Sequence, residues 1–255
     1  MPSAPPRERV RSEAFQALKV GFAAGGSRPL VPSGKALFTT GLGDLDRVLG
    51  GGFPRGALAT LEGASSSGRT AIAAQLLARA TANGWAAAVD DGSLFPPHLA
   101  SAGVCLERLL VVPAESALAI SRASDILLRS RAFDIVLLPG IALRATVWSR
   151  LVGLAHKADV LLLTLGPQAS TELAYFAGTR VGCAIERVRW SEGANVFGEL
   201  AGYDICARVL KSRRTAPGMS AHIRVAGDAG TSYRERAFVQ FASALIAVPV
   251  MGNAR

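Results

Sequence analysis

The chain has 255 residues and a formal net charge of +9, with 28 lysines and arginines against 19 aspartates and glutamates. Half of the residues are hydrophobic, so the chain can bury a sizeable core. The basic balance favours polyanionic partners, with DNA as the first candidate. An Arg-rich proteome would raise the isoelectric point in the same way, because the arginines are scattered along the chain.

The cysteines and histidines exclude two kinds of small domain. They are Cys105, Cys183 and Cys206, and His98, His156 and His222. Their spacing fits neither a zinc motif nor a disulfide framework, so we predict no metal site and a reducing, cytoplasmic location. The apolar segment 241–251 is short and interrupted by Pro249, which argues against a membrane span.

The first 36 residues form an N-terminal tail in this interpretation. Residues 1–7 are Pro-rich, residues 8–20 predict a short basic amphipathic helix, and residues 21–34 have the composition of a linker. A globular core is predicted over 37–226, followed by a C-terminal extension over 227–255.

Within the core, apolar strands alternate with helices. Strands are predicted at 57–61, 85–89, 109–112, 134–138 and 159–165, and helices at 70–82, 116–131 and 144–157. This alternation is typical of βαβ units around a parallel sheet. Beyond residue 180 the pattern changes to consecutive strands at 183–190, 203–210 and 222–225, which predicts an antiparallel edge.

The most informative stretch joins a predicted strand to a predicted helix and reads Gly63-Ala-Ser-Ser-Ser-Gly68-Arg69-Thr70. Glycines let a backbone approach phosphate closely, and the first N–H groups of a helix point at an anion. The spacing is that of a Walker A loop with arginine in the lysine position. An ordinary Gly/Ser turn is the alternative. The predicted nucleotide-binding residues are Gly63, Ser65, Ser66, Ser67, Gly68, Arg69 and Thr70.

Three further segments occur in the order found in RecA-family proteins, which the chain resembles over roughly residues 37–226. Residues 40–56 contain Gly-Gly-Gly and Pro-x-Gly turns before the loop, residues 89–97 resemble the segment that carries the catalytic glutamate, and residues 134–140 resemble the Walker B strand. The resemblance implies a RecA-like P-loop core, that is, an α/β fold with a mostly parallel sheet flanked by helices. It also implies ATP or ADP with Mg²⁺ as the cofactor, with Thr70 near the metal.

The departures from this family are as informative as the matches. Arg69 replaces the P-loop lysine, the catalytic glutamate falls on Gly92, and the Walker B aspartate falls on Pro139. Phosphoryl transfer depends on such charged groups, and the loss of one typically costs about 10²–10³ in rate. We therefore expect weak nucleotide binding and little hydrolysis. Asp90 and Asp91 could replace the lost acids in part, although strand-end and turn roles are the simpler interpretation.

The segments that contact single-stranded DNA in RecA are shortened here. DNA binding would then depend on scattered arginines and be weak, salt-sensitive and independent of sequence; a solvated sheet edge is the alternative. These arginines are Arg180, Arg187, Arg189, Arg208 and Arg214. Lys211 and Arg213 resemble the basic pair with which RecA reaches a neighbouring protomer's nucleotide, although they could simply solvate a strand end.

Among RecA relatives, the compact size and degraded motifs resemble most the ImuA family of bacterial translesion-mutagenesis cassettes. That resemblance implies an accessory role in the SOS response to DNA damage. The implied partners are an ImuB-like polymerase subunit, an error-prone polymerase, RecA and single-stranded DNA. A DNA-stimulated weak ATPase and a SulA-like cell-division inhibitor are the alternatives.

Overall fold

Strands and helices alternate along most of the chain in the computed structural model, which describes residues 37–191 and 199–226. The strands are β1 (Leu37–Phe38), β2 (Phe53–Pro54), β3 (Leu58–Glu62), β4 (Ala86–Asp90), β5 (Leu109–Pro113), β6 (Ile135–Pro139), β7 (Leu161–Gly166), β8 (Thr179–Ser191), β9 (Glu199–Lys211) and β10 (Ser220–Ala226). The helices are α1 (Gly43–Val48), α2 (Arg69–Asn83), α3 (Pro96–Ser101), α4 (Ala117–Ser130), α5 (Ala145–Ala158) and α6 (Thr171–Phe176), with a 3₁₀ turn at Leu106–Arg108.

Eight of these strands form one mixed sheet in the order β10-β9-β8-β3-β7-β6-β4-β5. All pairs from β8 through β3 to β5 are parallel, whereas β8, β9 and β10 pair antiparallel. Strands β1 and β2 form a separate two-stranded antiparallel sheet. The prediction of a mostly parallel sheet with an antiparallel edge near the C-terminal end is confirmed.

Helices cover both faces of the parallel part, because its strands are apolar on both sides. One buried cluster joins strand residues such as Leu61 and Leu163 to α1, α2 and α3. The alternate strand residues, such as Leu162, are also buried and face the side of the sheet where α4 and α5 lie. Trp148 in α5 is fully buried on that side. No helix in the described ranges has the length and apolar character needed to cross a membrane.

The predicted elements of the core agree with the observed ones to within two residues, except at the starts of β8 and β9. Strand β9 begins four residues before its predicted start at 203. Strand β8 begins four residues before the predicted start, because residues 179–182 pair with β3 on one side, and 180–182 also pair with β9 on the other. The six-residue helices α1, α3 and α6 were not predicted, since one or two turns are too short to show a helical period. The helix predicted over 8–20 and the linker over 21–34 lie outside the described residues, as does the extension predicted over 227–255.

Two connections at the carboxyl ends of the strands are short. Only residues 140–144 separate β6 from α5, and only residues 167–170 separate β7 from α6. The first connection also packs against the end of β7, because a Cβ placed on Gly140 would lie 2.4 Å from the Cα of Gly166. Little space remains for a DNA-binding loop at this position, as the sequence predicted.

Candidate nucleotide site

The predicted P-loop is a turn between β3 and α2. Ser66 and Gly68 both take positive φ values, +59° and +83°. Glycine adopts that region without steric cost, so Gly68 allows the chain to enter α2 directly from the turn. A Cβ at Gly68 would lie 2.4 Å from Cδ1 of Ile205 in β9. The antiparallel edge therefore packs directly against the loop.

The start of α2 has the features of an anion site. No side chain caps the helix, and its N-cap is Gly68. The Ser67 hydroxyl is buried and has no hydrogen-bond partner in the structure. Free helix N–H groups and an unpaired hydroxyl are satisfied at low cost by phosphate oxygens. The loop residues therefore fit the binding of a nucleotide phosphate.

Arg69 folds back onto the loop that precedes it. Its Nη1 donates to the carbonyl oxygens of Gly63 and Ala64, the latter at 2.9 Å. Arg69 and Thr70 line a cavity of about 220 Å³ at the carboxyl ends of the strands. The guanidinium thus lies at the predicted phosphate site, where it keeps the positive charge of the usual lysine.

Acidic groups reach this cavity only from the end of β4 and the turn after it, among the residues described. Asp90 and Asp91 line it, together with Pro139. Asp90 Oδ1 accepts hydrogen bonds from the backbone N–H groups of Ser93 and Leu94, both at 3.0 Å. That is the turn-stabilising role expected of an aspartate after a strand.

The residue that the RecA resemblance aligns with the catalytic glutamate is a glycine. Gly92 is exposed, with a φ of +93° and no atom within 4 Å of a Cβ placed there. On the neighbouring strand, Pro139 lines the cavity where the Walker B aspartate was expected. The cavity therefore lacks both acids that the family motifs would supply.

A buried ion pair lies immediately before the P-loop. Glu62 is 4% exposed, and its carboxylate accepts hydrogen bonds from Arg180 Nε and Nη2 at 2.7 and 2.9 Å. Thr60 Oγ1 and the backbone N–H of Ala169 also donate to it. Desolvation raises the pKa of Glu62, but these hydrogen bonds together outweigh it and hold the pKa below its ordinary value.

The predicted DNA-binding arginines divide into two groups. Arg180 is paired with Glu62, Arg189 lies 3.4 Å from Asp204, and Arg214 donates to the Gly50 carbonyl. Arg187 and Arg208 are exposed and stand on the same face of the β8–β10 sheet. These two are the arginines of the set best placed to contact a polyanion.

Lys211 and Arg213 stand in different surroundings. Lys211 Nζ donates to the carbonyl oxygens of Ala174 and Tyr175 at the end of α6, at 2.8 and 3.1 Å. A cation at that end complements the helix dipole, which is a structural role. Arg213 is exposed on the segment after β9. Of the two residues, Arg213 is therefore the better candidate for the predicted contact with a neighbouring protomer's nucleotide.

The comparisons with known proteins agree with this architecture. A family model described as the MT3502 N-terminal domain matches residues 48–170. The chain is 35% identical to the RecA protein of Salinispora arenicola over 150 residues and 33% identical to that of a Picosynechococcus species over 127. These alignments cover 56% and 49% of this chain, but only 42% and 34% of the RecA chains.

A solved structure shows the same fold. The crystal structure of the RadB recombinase superposes with a TM-score of 0.58 and 19% identity, covering 74% of this chain and 96% of that one. The core has the RecA-like fold. Together with the RecA matches, this supports a place in the RecA-like superfamily. The chain spans well under half the length of the RecA relatives it matches.

Two features of the RecA-like core were missed by sequence reasoning. Glu62 ends a buried strand that is apolar apart from Thr60, and a charged residue at that position is a signal that could have pointed to a buried partner. The contact between Ile205 and Gly68 had no comparable signal, because it joins residues far apart in the chain. Both features connect the P-loop to the antiparallel edge.

The Glu62–Arg180 pair predicts a defined acid sensitivity. Because the folded pKa of Glu62 lies below its ordinary value of 4.5, its stabilisation is present above pH 4.5 and is lost as the pH falls from there through the folded value. We expect Glu62→Gln to lower the free energy of unfolding at neutral pH by about 3 kcal/mol, because Arg180 loses its buried partner. Urea unfolding at several pH values measures this.

The control is Glu115→Gln, which changes an exposed carboxylate and should alter stability by less than about 0.5 kcal/mol at any pH. The stability difference between wild type and Glu62→Gln should shrink below pH 4.5. A difference that stays constant across this range would show that the carboxylate charge does not stabilise the fold.

Proposed function

We propose that this chain is a RecA-like accessory protein of DNA repair, which binds nucleotide at its P-loop and acts through partners rather than through ATP turnover. One observation carries the proposal: the anion-binding features of the loop are present, while Gly92 and Pro139 stand where the two catalytic acids belong. Phosphate binding needs the backbone and a cation, whereas hydrolysis also needs acids that orient water and metal.

ATP or ADP with Mg²⁺ fits this site as a weakly held cofactor. The N–H groups at the start of α2, the Ser67 hydroxyl and Arg69 would hold the phosphates, and the Thr70 hydroxyl would face the metal. A bound phosphate would give the Ser67 hydroxyl the hydrogen-bond partner that it lacks in the structure. Since Ile205 packs on Gly68, phosphate binding would also stabilise the antiparallel edge.

A weak, DNA-stimulated ATPase is the second candidate. It is favoured by Asp90 and Asp91, which line the same cavity as Arg69 and Thr70. Against it stands the engagement of Asp90 with two backbone N–H groups, which holds that carboxylate in the turn. The hydrolysis measurement below separates the two candidates.

The resemblance to the ImuA family supports a finer proposal. In it the chain is a cytoplasmic member of an SOS translesion-synthesis complex, and its partners are an ImuB-like polymerase subunit and an error-prone polymerase. The short connections at 140–144 and 167–170 agree with a protein that does not hold DNA as RecA does. DNA contacts would then be few and would use the exposed Arg187 and Arg208.

ATP turnover should be far below that of a competent RecA-type enzyme, with or without single-stranded DNA, because two acids are absent and each typically contributes about 10²-fold or more.

Mg-nucleotide should nevertheless raise the melting temperature, and Arg69→Ala should reduce that shift. The exposed Arg79→Ala on the same helix is the matched control. Gly68→Val is unsuitable as a control, because its side chain would collide with Ile205. A robust turnover that Thr70→Ala abolishes would establish the ATPase instead.

Binding to single-stranded DNA should be weak, independent of sequence and steeply dependent on salt. Replacing Arg187 and Arg208 together by alanine should lower the affinity and reduce the salt slope by up to about 1.4, at roughly 0.7 per phosphate contact. Fluorescence anisotropy at several salt concentrations measures both. The pair Arg79→Ala and Arg122→Ala removes the same charge from exposed helical positions. If both double variants lose the same affinity for single-stranded DNA, Arg187 and Arg208 do not form a defined DNA interface.

RecA itself is a proposed partner, reached through the segment after β9. Titrating the protein into RecA-catalysed strand exchange should inhibit the reaction. A filament grows only when both faces of each protomer bind a neighbour, so a protomer with one weakly binding face should stop growth at the filament end. Arg213→Ala should weaken the inhibition, while Arg79→Ala should not. Lys211 is left unchanged because it supports α6. If the wild-type protein has no effect on strand exchange, RecA is not a partner. If Arg213→Ala inhibits as strongly as the wild type, the interaction with RecA does not use Arg213.

A further inference from the structure

The antiparallel edge presents a polar face on the side of the sheet away from α2. Along β8, β9 and β10, the isoleucines Ile185, Ile205 and Ile223 pack against the core cluster. Because side chains alternate along a strand, the residue next to each isoleucine faces the other way. Those neighbours are Glu186, Cys206 and His222. Three strands thus each contribute one polar side chain at the same level.

The strand register brings these three residues together. Cys206 lies directly opposite His222 in the β9–β10 pair. Strand β8 is irregular between Ile185 and Arg187, where its pairing with β9 shifts by one residue, and Glu186 is the extra residue. A β-bulge redirects a side chain relative to the regular ladder. Here it places the Glu186 carboxylate beside the other two groups.

The carboxylate, thiol and imidazole atoms all lie within 4.8 Å of one another, and Glu186 Oε2 is 2.9 Å from His222 Nδ1. Around a tetrahedral zinc ion, such atoms are separated by about 3.3–3.6 Å, given metal–ligand distances of about 2.0–2.3 Å. Small side-chain rotations would bring the three pairs of ligand atoms to this spacing, with the Glu186–His222 distance widening slightly. We propose that Glu186, Cys206 and His222 form a binding site for a transition-metal ion, Zn²⁺ in the first place.

The donor set decides the class of metal. A thiolate is a soft ligand and an imidazole an intermediate one, so the set favours Zn²⁺ and related ions over Mg²⁺ or Ca²⁺, which prefer oxygen. The carboxylate and thiolate together would balance the charge of a divalent ion. Three protein ligands leave a fourth position open, as in zinc sites that also bind water or an outside group. The site lines a cavity of about 690 Å³, so that position is accessible.

A nucleophilic Cys–His–Glu relay uses the same residue types but has a different shape. In a relay the imidazole lies between the other two groups and contacts each through a different nitrogen, so the thiol and the carboxylate are far apart. Here the Glu186 and Cys206 ligand atoms also lie within 4.8 Å of each other. A triangle of mutually close groups is the arrangement of metal ligands.

The three ligands lie outside the Walker A loop, and Gly63, the first residue of that loop, lines the same cavity. The metal proposal does not depend on the proposed nucleotide function. The ligands come from β8, β9 and β10, and the metal would cross-link these three strands. A bound ion should therefore stabilise the antiparallel edge, since binding to the folded state alone raises stability by mass action. No residue of the Walker A loop takes part.

The test uses the full-length, tag-free protein, stripped with chelator and titrated with Co²⁺ and then Zn²⁺. We expect one ion per chain, a thiolate-to-cobalt absorption band that Zn²⁺ removes, and a higher melting temperature with Zn²⁺. Cys206→Ser and His222→Ala should abolish the band or weaken binding at least about tenfold. Glu186→Gln should weaken binding while leaving the thiolate band in place.

Two matched variants separate this site from adventitious binding. Cys105→Ser and His156→Ala remove the same chemical groups from positions outside the cluster and should bind as the wild type does. Because Cys206 is only partly buried and His222 is exposed, circular dichroism should show their variants folded. A missing thiolate band, or a band that survives in Cys206→Ser, would overturn the proposal.

Discussion

The buried ion pair between Glu62 and Arg180 is the interaction on which the two halves of the sheet depend. Glu62 ends the central strand β3, and Arg180 lies at the start of β8, where the parallel part meets the antiparallel edge. The backbone N–H of Ala169 also donates to Glu62, so the connection after β7 is held by the same carboxylate. Removing Arg180 would leave the buried Glu62 carboxylate without its ionic partner, which is strongly destabilising for a buried charge. This geometry sets where the P-loop begins.

The P-loop is in turn held from the other side by the antiparallel edge. Ile205 occupies the space that any side chain at position 68 would need, so the glycine is required by a packed neighbour as well as by its backbone angle. Strand β9 therefore supports the loop that is proposed to bind phosphate. Strands β8 to β10 carry Glu186, Cys206 and His222 on their opposite face, so an ion there and a nucleotide at the loop would both stabilise one element.

Binding and hydrolysis make different demands on a RecA-like core, and the proposed function rests on this difference. Anion binding uses backbone N–H groups, which any residue supplies if the turn is correct, together with one cation such as Arg69. Hydrolysis needs carboxylates at defined points, and Gly92 and Pro139 cannot provide them. The shortened connections, closed where Gly140 meets Gly166, also remove the space that DNA loops would occupy. These features are the basis of the proposed role as a partner protein.

The sequence by itself determined the fold class, the position of the P-loop turn and the absence of the two acids. These features are local: apolar runs, glycine spacing and residue identity are legible within short windows. Only the tertiary structure decided that Glu62 pairs with Arg180, that Ile205 packs on Gly68, and that Glu186, Cys206 and His222 converge. Those contacts join residues far apart in the chain, and they are set by strand order, strand register and one β-bulge. Strand order, register and bulges leave no periodic signal in the sequence.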